Sequence, residues 1–178
     1  MAIKQLNLRA AATRSPRVVI AKSLNEALSK SQQTAFLCHS HKDKNMVRGL
    51  QNLLNENGWN VYIDWLDEEL SASPDKETAK KIKNKIDQLT WFLFLATANS
   101  TSSRWCPWEI GYADAIKRHE AILIIPTEDD NGVWHGNEYL QLYRQITDAS
   151  DQVARKSGLA AFDPKSNQGG TWVEDLKI

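Results

Sequence analysis

The residues best suited to chemistry lie in one run, Ser102-Ser103-Arg104-Trp105-Cys106-Pro107-Trp108-Glu109-Ile110-Gly111-Tyr112-Ala113. Trp105 and Glu109 stand four positions apart, so a helix would put them on one face. Pro107 fits the first turn of such a helix, where amides have no intrahelical acceptor. A carboxylate in that turn also gains from the helix dipole. There it could steady positive charge developing on a bound group. A plainer role fits the same pattern: Glu109 satisfying orphan amides and Trp105 filling the core. The residues alone leave both readings open.

A second run is Phe36-Leu37-Cys38-His39-Ser40-His41-Lys42-Asp43. His39 and His41 point the same way if the strand reaches that far. With Cys38 and Asp43 nearby they suggest metal ligands, but no second CxxC or HxxxH element completes a set, and no metal is expected. Cysteine nucleophile chemistry is equally unsupported, because adjacent strand residues such as Cys38 and His39 face opposite sides. Asp43 is read as the cap of the following helix. A third run, Gly58 onward to Asp64, Trp65, Asp67, Glu68 and Glu69, places acids after a strand. Acids there can hydrogen-bond a ribose, and they also suit a solvated loop. No glycine-rich phosphate loop of the P-loop or Rossmann type is present.

These runs need a scaffold. Short apolar stretches at 34–39, 59–63, 91–96 and 121–125 read as buried strands, the last stopped by Pro126. Between them lie helical patterns. Met46, Val47, Leu50, Leu53 and Leu54 form one stripe, ended by Asn57-Gly58. Ala79, Ile82, Ile86 and Leu89 form another, opened by Ser73 and Pro74. A third helix is expected over about 105–118. Residues 137–146 and 148–156 also read as helical, and 171–173 as a possible edge strand. Strands alternating with helices demand right-handed βαβ units and a mainly parallel sheet. Ligands then bind at the carboxyl ends of the strands, which selects 39–43, 64–69, 97–105 and 126–130.

Residues 1–33 read as an N-terminal extension ending in an amphipathic helix, with Ser15 and Pro16 at its start, and 34–178 as the main domain. Twenty-two basic residues balance twenty-two acidic ones over 178 residues. That balance argues against nucleic acid or a membrane surface as partner. The run Lys80-Lys81-Ile82-Lys83-Asn84-Lys85 is read as a solvated helix face. Two cysteines give no disulfide framework and fit a reducing compartment. No apolar segment is long enough to span a bilayer and none resembles a secretory signal, so a cytoplasmic location is expected.

Taken in order, the three runs resemble the TIR (Toll/interleukin receptor) family. Residues 36–43 resemble its first box, F-I-S-Y-S-H-x-D. Residues 58–64 resemble its second strand, G-x-x-V-F-x-D, ahead of the mobile BB loop. Residues 102–109 resemble the S-x-W-x-x-x-E region of catalytic members. The likeness covers about 34–146 and departs at Cys38 and His39, where Ser and Tyr are usual. It implies a flavodoxin-like three-layer α/β sandwich around a parallel sheet of about five strands. It also implies cleavage of the nicotinamide–ribose bond of NAD+, as in bacterial members. Glu109 would be the catalytic carboxylate, with Trp105, Cys38, His39, Ser40, Asp64 and Trp65 binding substrate. NAD+ would be substrate, with no cofactor. Self-association, a downstream effector sensing the product and a place in antiphage defence follow from the same likeness. A non-catalytic scaffold is the alternative within the family. A nucleoside deoxyribosyltransferase-like enzyme, with a glutamate nucleophile, is an alternative outside it.

Overall fold

The computed structural model describes residues 2–14, 24–30, 32–63, 75–136, 138–164, 166 and 168–178. Four parallel strands form at the expected places: β2 (Gln33–Cys38), β3 (Trp59–Tyr62), β4 (Trp91–Ala96) and β5 (Ile122–Glu128). A fifth, β7 (Arg144–Asp151), lies parallel to β5. Their order is β3-β2-β4-β5-β7. That is the flavodoxin-like order 2-1-3-4-5, counting only these strands. The chain leaves β2 for the edge strand β3, then crosses back to β4. The switch point therefore falls between the carboxyl ends of β2 and β4.

Alternation along the strands divides the core. Ala35, Leu37, Trp91, Leu93, Leu95, Leu123 and Ile125 face one side, with Val47, Leu50 and Leu54 of α3 (Lys44–Glu56). Phe36, Cys38, Phe92, Phe94, Ile122 and Ile124 face the other. That side is covered by α4 (Lys76–Gln88) and α6 (Cys106–Ile116), through Ile82, Ile86, Cys106, Ile110 and Ala113. Both sheet faces are thus buried, as a parallel sheet requires. The short α5 (Ala98–Thr101) turns the chain between β4 and α6. The α4 N-cap is Asp75, whose carboxylate accepts Thr78 N at 2.7 Å. The expected openers Ser73 and Pro74 lie outside the described residues, as do Ser15, Pro16 and the acidic segment 64–69.

Two expectations need correction. First, β5 runs through Pro126 to Glu128. Pro126 stands opposite Ala96, the last residue of β4, so its missing N–H falls at the end of that ladder. The Thr127 hydroxyl donates to Ala96 O at 2.6 Å instead. Second, 144–162 is not helical but a hairpin, β7 paired antiparallel with β8 (Lys156–Phe162). Residues 148–156 carry good helix formers but no buried stripe, and Val153 is 98% exposed. Pairing with β5 and β8 overrides propensity there. Asp151 sets the turn by accepting Val153 N and Ala154 N. The short β9 (Thr171–Trp172) is the edge strand the sequence suggested.

The start of the chain also joins the sheet. β1 (Ile3–Lys4) joins β5 in parallel and β6 (Trp134–His135) joins it antiparallel. α1 (Gln5–Ala11) follows β1, and Ile3 and Leu8 are fully buried in the α3-side core. α2 (Leu24–Ser29) is the helix expected at the end of this region. Gln5 Nε2 donates to Thr127 Oγ1, and Asn52 Nδ2 holds Ala11 O and Arg14 O. At the other end, Val173 and Leu176 enter the same core, and Trp59 Nε1 donates to Val173 O at 3.0 Å.

α1 lies so close to α3 that a Cβ at Gly49 would fall 1.7 Å from Leu8 O, a backbone atom. The helices must separate to admit any side chain. We expect Gly49→Ala to lower the unfolding free energy by about 1–3 kcal/mol, measured in urea. Unchanged stability would mean that α1 does not rest on α3.

Candidate active site at the carboxyl ends of the central strands

The site is built on the turn after β4. Thr97 caps α5, and its hydroxyl and that of Ser100 form a reciprocal capping box. Ser100 is fully buried and donates to Leu95 O at 2.6 Å. Asp43, also buried, lies across from this turn. Its carboxylate accepts Thr97 Oγ1 and Asn99 Nδ2, each at 2.6 Å. The expected helix-cap hydrogen bond from Asp43 does not form. Two donors from the neighbouring loop take the carboxylate instead, and the bridge ties the end of β2 to the end of β4. Ser40 does the local capping, accepting Lys42 N at the 3₁₀ turn His41–Asp43.

α6 then begins against β2. Ser103 Oγ accepts Trp105 N and Cys106 N, and Pro107 occupies the first turn. Glu109 N closes that turn on Trp105 O at 2.9 Å. The Cys106 thiol donates to His39 O at 3.3 Å, and the Cys38 thiol reaches Cys106 O at 3.9 Å. Glu109, three residues beyond Cys106, is 5% exposed, and its charge acts on the Cys38 thiol. Burial above all, then the Cys106 thiol and the Glu109 charge, push the Cys38 pKa well up. Cys38 is therefore a neutral thiol and not a thiolate nucleophile.

The sequence-predicted residues are not equally placed. Cys38 and Glu109 meet. Cys38 is 1% exposed, so it faces Glu109 and the α6 core rather than solvent. His39 is 5% exposed, with Nδ1 2.7 Å from Leu37 O. Since that carbonyl only accepts, Nδ1 carries the proton. Ser40 is half-buried beside it. Trp105 sets its ring edge-on to Trp108 at 5.3 Å, and Trp108 stacks on Tyr112. Lys83 of α4 lies over Trp108 and Tyr112, and Asp87 accepts the Tyr112 hydroxyl. Trp105 thus begins an aromatic stripe along α6 that meets α4. Asp64 and Trp65 lie outside the described residues.

Sequence reasoning missed Tyr139. It stands in the 3₁₀ turn Glu138–Leu142, 40% exposed, beside Leu140, which packs with Cys38 and Cys106. Burial pushes its phenol pKa up. The only signal was an aromatic shortly after the fourth strand, obscured by the helical reading of 137–146.

Next to the 3₁₀ turn His41–Asp43, a pocket of about 250 Å³ opens among Arg9, His41, Lys42, Lys44 and Met46. A larger groove of about 680 Å³ lies at the other end of the sheet, among Asp148, Phe162, Gly170 and Trp172. Among the described residues, no group of His, Cys, Asp and Glu is arranged to hold a metal ion. None of their helices is long and apolar enough to cross a membrane.

Comparison with known proteins follows the same residues. The profile of the TIR domain family matches residues 35–156, most of the chain. A Bacillus cereus (strain MSX-D12) protein named "Probable 3' cyclic ADP-D-ribose synthase ThsB'" is 38% identical over 113 residues, covering 62% of this chain and 58% of that protein. A Cytobacillus dafuensis protein named "Putative cyclic ADP-D-ribose synthase TIR2" is 28% identical over 95 residues, covering 50% of this chain and 24% of that protein. The chain therefore spans little more than half of the first relative and about a quarter of the second.

The Asp43 bridge is testable. Asp43→Ala leaves two donors without their acceptor and should cost about 2–4 kcal/mol of unfolding free energy. Asp43→Asn keeps one acceptor and should cost less. A loss for Asp43→Ala below about 0.5 kcal/mol in urea unfolding would place it with ordinary surface changes and refute the bridge.

Proposed function

Because the chain belongs to the TIR domain family, we propose that it cleaves the nicotinamide–ribose bond of NAD+, with Glu109 as the catalytic carboxylate. One observation carries this reading: a glutamate in the first turn of α6, beside the sheet's switch point, within the stretch shared with the family. The relatives' names as cyclic ADP-D-ribose synthases point the same way.

The chemistry suits a single carboxylate. Glycosidases use two, partly because a poor leaving group must be protonated. In NAD+ the bond pair passes to a pyridinium nitrogen, and nicotinamide departs neutral without a proton. What remains is positive charge on the ribose. An anion hydrogen-bonded to the ribose hydroxyls stabilises that oxocarbenium-like state more than the ground state. Near-complete burial strengthens the effect, because water screens little there. Trp105 offers a ring to stack on nicotinamide or to shield the site. Cys38, His39, Ser40, Asp64 and Trp65 complete the substrate contacts in this reading. The acceptor sets the product. Water gives ADP-ribose, and an internal hydroxyl or ring nitrogen gives a cyclic form. NAD+ is substrate here and no cofactor is required.

We further propose that the chain works in the cytoplasm after self-association through TIR contacts, and that its product signals to an effector in antiphage defence. The N-terminal residues 1–33 are proposed as an extension of the TIR domain at 34–178, although Ile3 and Leu8 share its core.

The test is release of free nicotinamide from NAD+ by the full chain, before and after assembly. Glu109→Gln should lower the rate at least about a hundredfold, with little change in unfolding midpoint. Equal rates in the two proteins would refute the assignment of Glu109. Silence of both after assembly would favour a non-catalytic scaffold.

A further inference from the structure

We propose that the start of the chain is part of the catalytic unit: Gln5, acting through Thr127, locks the peptide between Ala96 and Thr97, and this lock positions the turn that leads into α6 and Glu109. The inference rests on the NAD+-cleaving reading and adds two positioning residues, Gln5 and Thr127, that would not touch substrate.

The locked peptide joins β4 to the site. Ala96 ends β4, and Thr97 begins the turn. The peptide is planar, so any rotation would swing its carbonyl and its N–H together. Both are held. Thr97 N donates to Ser100 Oγ at 2.8 Å, and Ala96 O accepts the Thr127 hydroxyl at 2.6 Å. Thr127 is itself held from behind. Its oxygen accepts Gln5 Nε2 at 3.0 Å, which leaves the hydroxyl proton for Ala96 O. Hydrogen bonds chained in this way polarise and strengthen one another. Strand pairing sets Gln5 in place, because Ile3 of β1 lies opposite Thr127, with His135 of β6 opposite it too. Thr127 is fully buried and Gln5 nearly so, which leaves water little part as a competing partner. Arg9, one turn further along α1, pairs with Asp130 in the loop after β5 and adds a more exposed tie. On the other side the line continues through Thr97, whose hydroxyl donates to Asp43. The same turn ends at Ser103, which accepts the first amides of α6. The first residues of the chain thereby bear on where Glu109 sits.

Valine and serine separate the hydroxyl from the space it fills. Thr127→Val keeps the shape and removes both donor and acceptor. In the full chain it should lower kcat for nicotinamide release about tenfold, on the scale of one buried hydrogen bond, with KM changed less than about twofold. Thr127→Ser keeps the hydroxyl and should stay within about threefold of the parent. Gln5→Leu leaves Thr127 in place and should lower kcat about threefold. Valine as active as the parent, serine no better than valine, or a loss confined to KM overturns the proposal. A second measurement needs no turnover. Amide hydrogen exchange over 97–103 should be faster in Thr127→Val and Gln5→Leu than in the parent, while α3 keeps its protection. Unchanged exchange over 97–103 overturns the lock, and so does equal loosening of α3, which would mean general unfolding. Faster exchange confined to 97–103, in a chain whose parent form releases no nicotinamide after assembly, refutes the reaction and keeps the lock.

Discussion

The site depends on how the first turn of α6 is seated on the end of β2. A helix start carries unsatisfied amides, and a strand end carries unsatisfied carbonyls. Here both are buried, so each needs a partner. Ser103 takes the first amides of α6, and the thiols of Cys106 and Cys38 take His39 O and Cys106 O. Sulfur suits the place because a thiol packs as an apolar group and still donates weakly. Glu109 is carried inward by this seating. Without it the same glutamate would be one more exposed acid at a helix N-terminus.

The seating in turn needs the loop before it to be rigid. Asp43 supplies that rigidity from the far side of the switch point. A buried carboxylate is expensive unless its oxygens are occupied. Thr97 and Asn99 occupy them from the turn that leads into α6. Ser100 ties the same turn to Leu95 O. The polar network therefore links three segments, the end of β2, the end of β4 and α5, before the helix begins. Asp43, Thr97 and Ser100 are all buried, and the bonds from Thr97, Asn99 and Ser100 just named are 2.6 Å long. Such a network specifies one arrangement more sharply than apolar packing alone.

Much of this was legible in the sequence, for a physical reason. Continuous apolar runs at β2, β4 and β5 and 3.6-period stripes on α3 and α4 report burial directly. They locate the strand ends, and the strand ends locate Glu109, His39 and Ser40. What local pattern could not show is pairing at a distance. β1 is two residues long and gains its place only from β5. β7 and β8 carry helix formers between short apolar pairs, and the strand appears only through its partners. Asp43 looked like a cap because its neighbours in sequence are a helix. Its donors, Thr97 and Asn99, are more than fifty residues away. Tyr139 escaped notice for the same reason, since its neighbour Leu140 packs with Cys38 and Cys106 only in the fold.

Burial and charge are linked in the proposed reaction. A carboxylate buried in hydrocarbon alone would take up a proton. The start of α6 offers a helix N-terminus, which favours the anion without cancelling it. Because the departing pyridinium needs no proton, nothing in the proposed reaction asks this group to be an acid. An anion fixed in place before the ribose develops charge meets the whole requirement. Where the family usually has serine and tyrosine this chain has Cys38 and His39, and both side chains are buried.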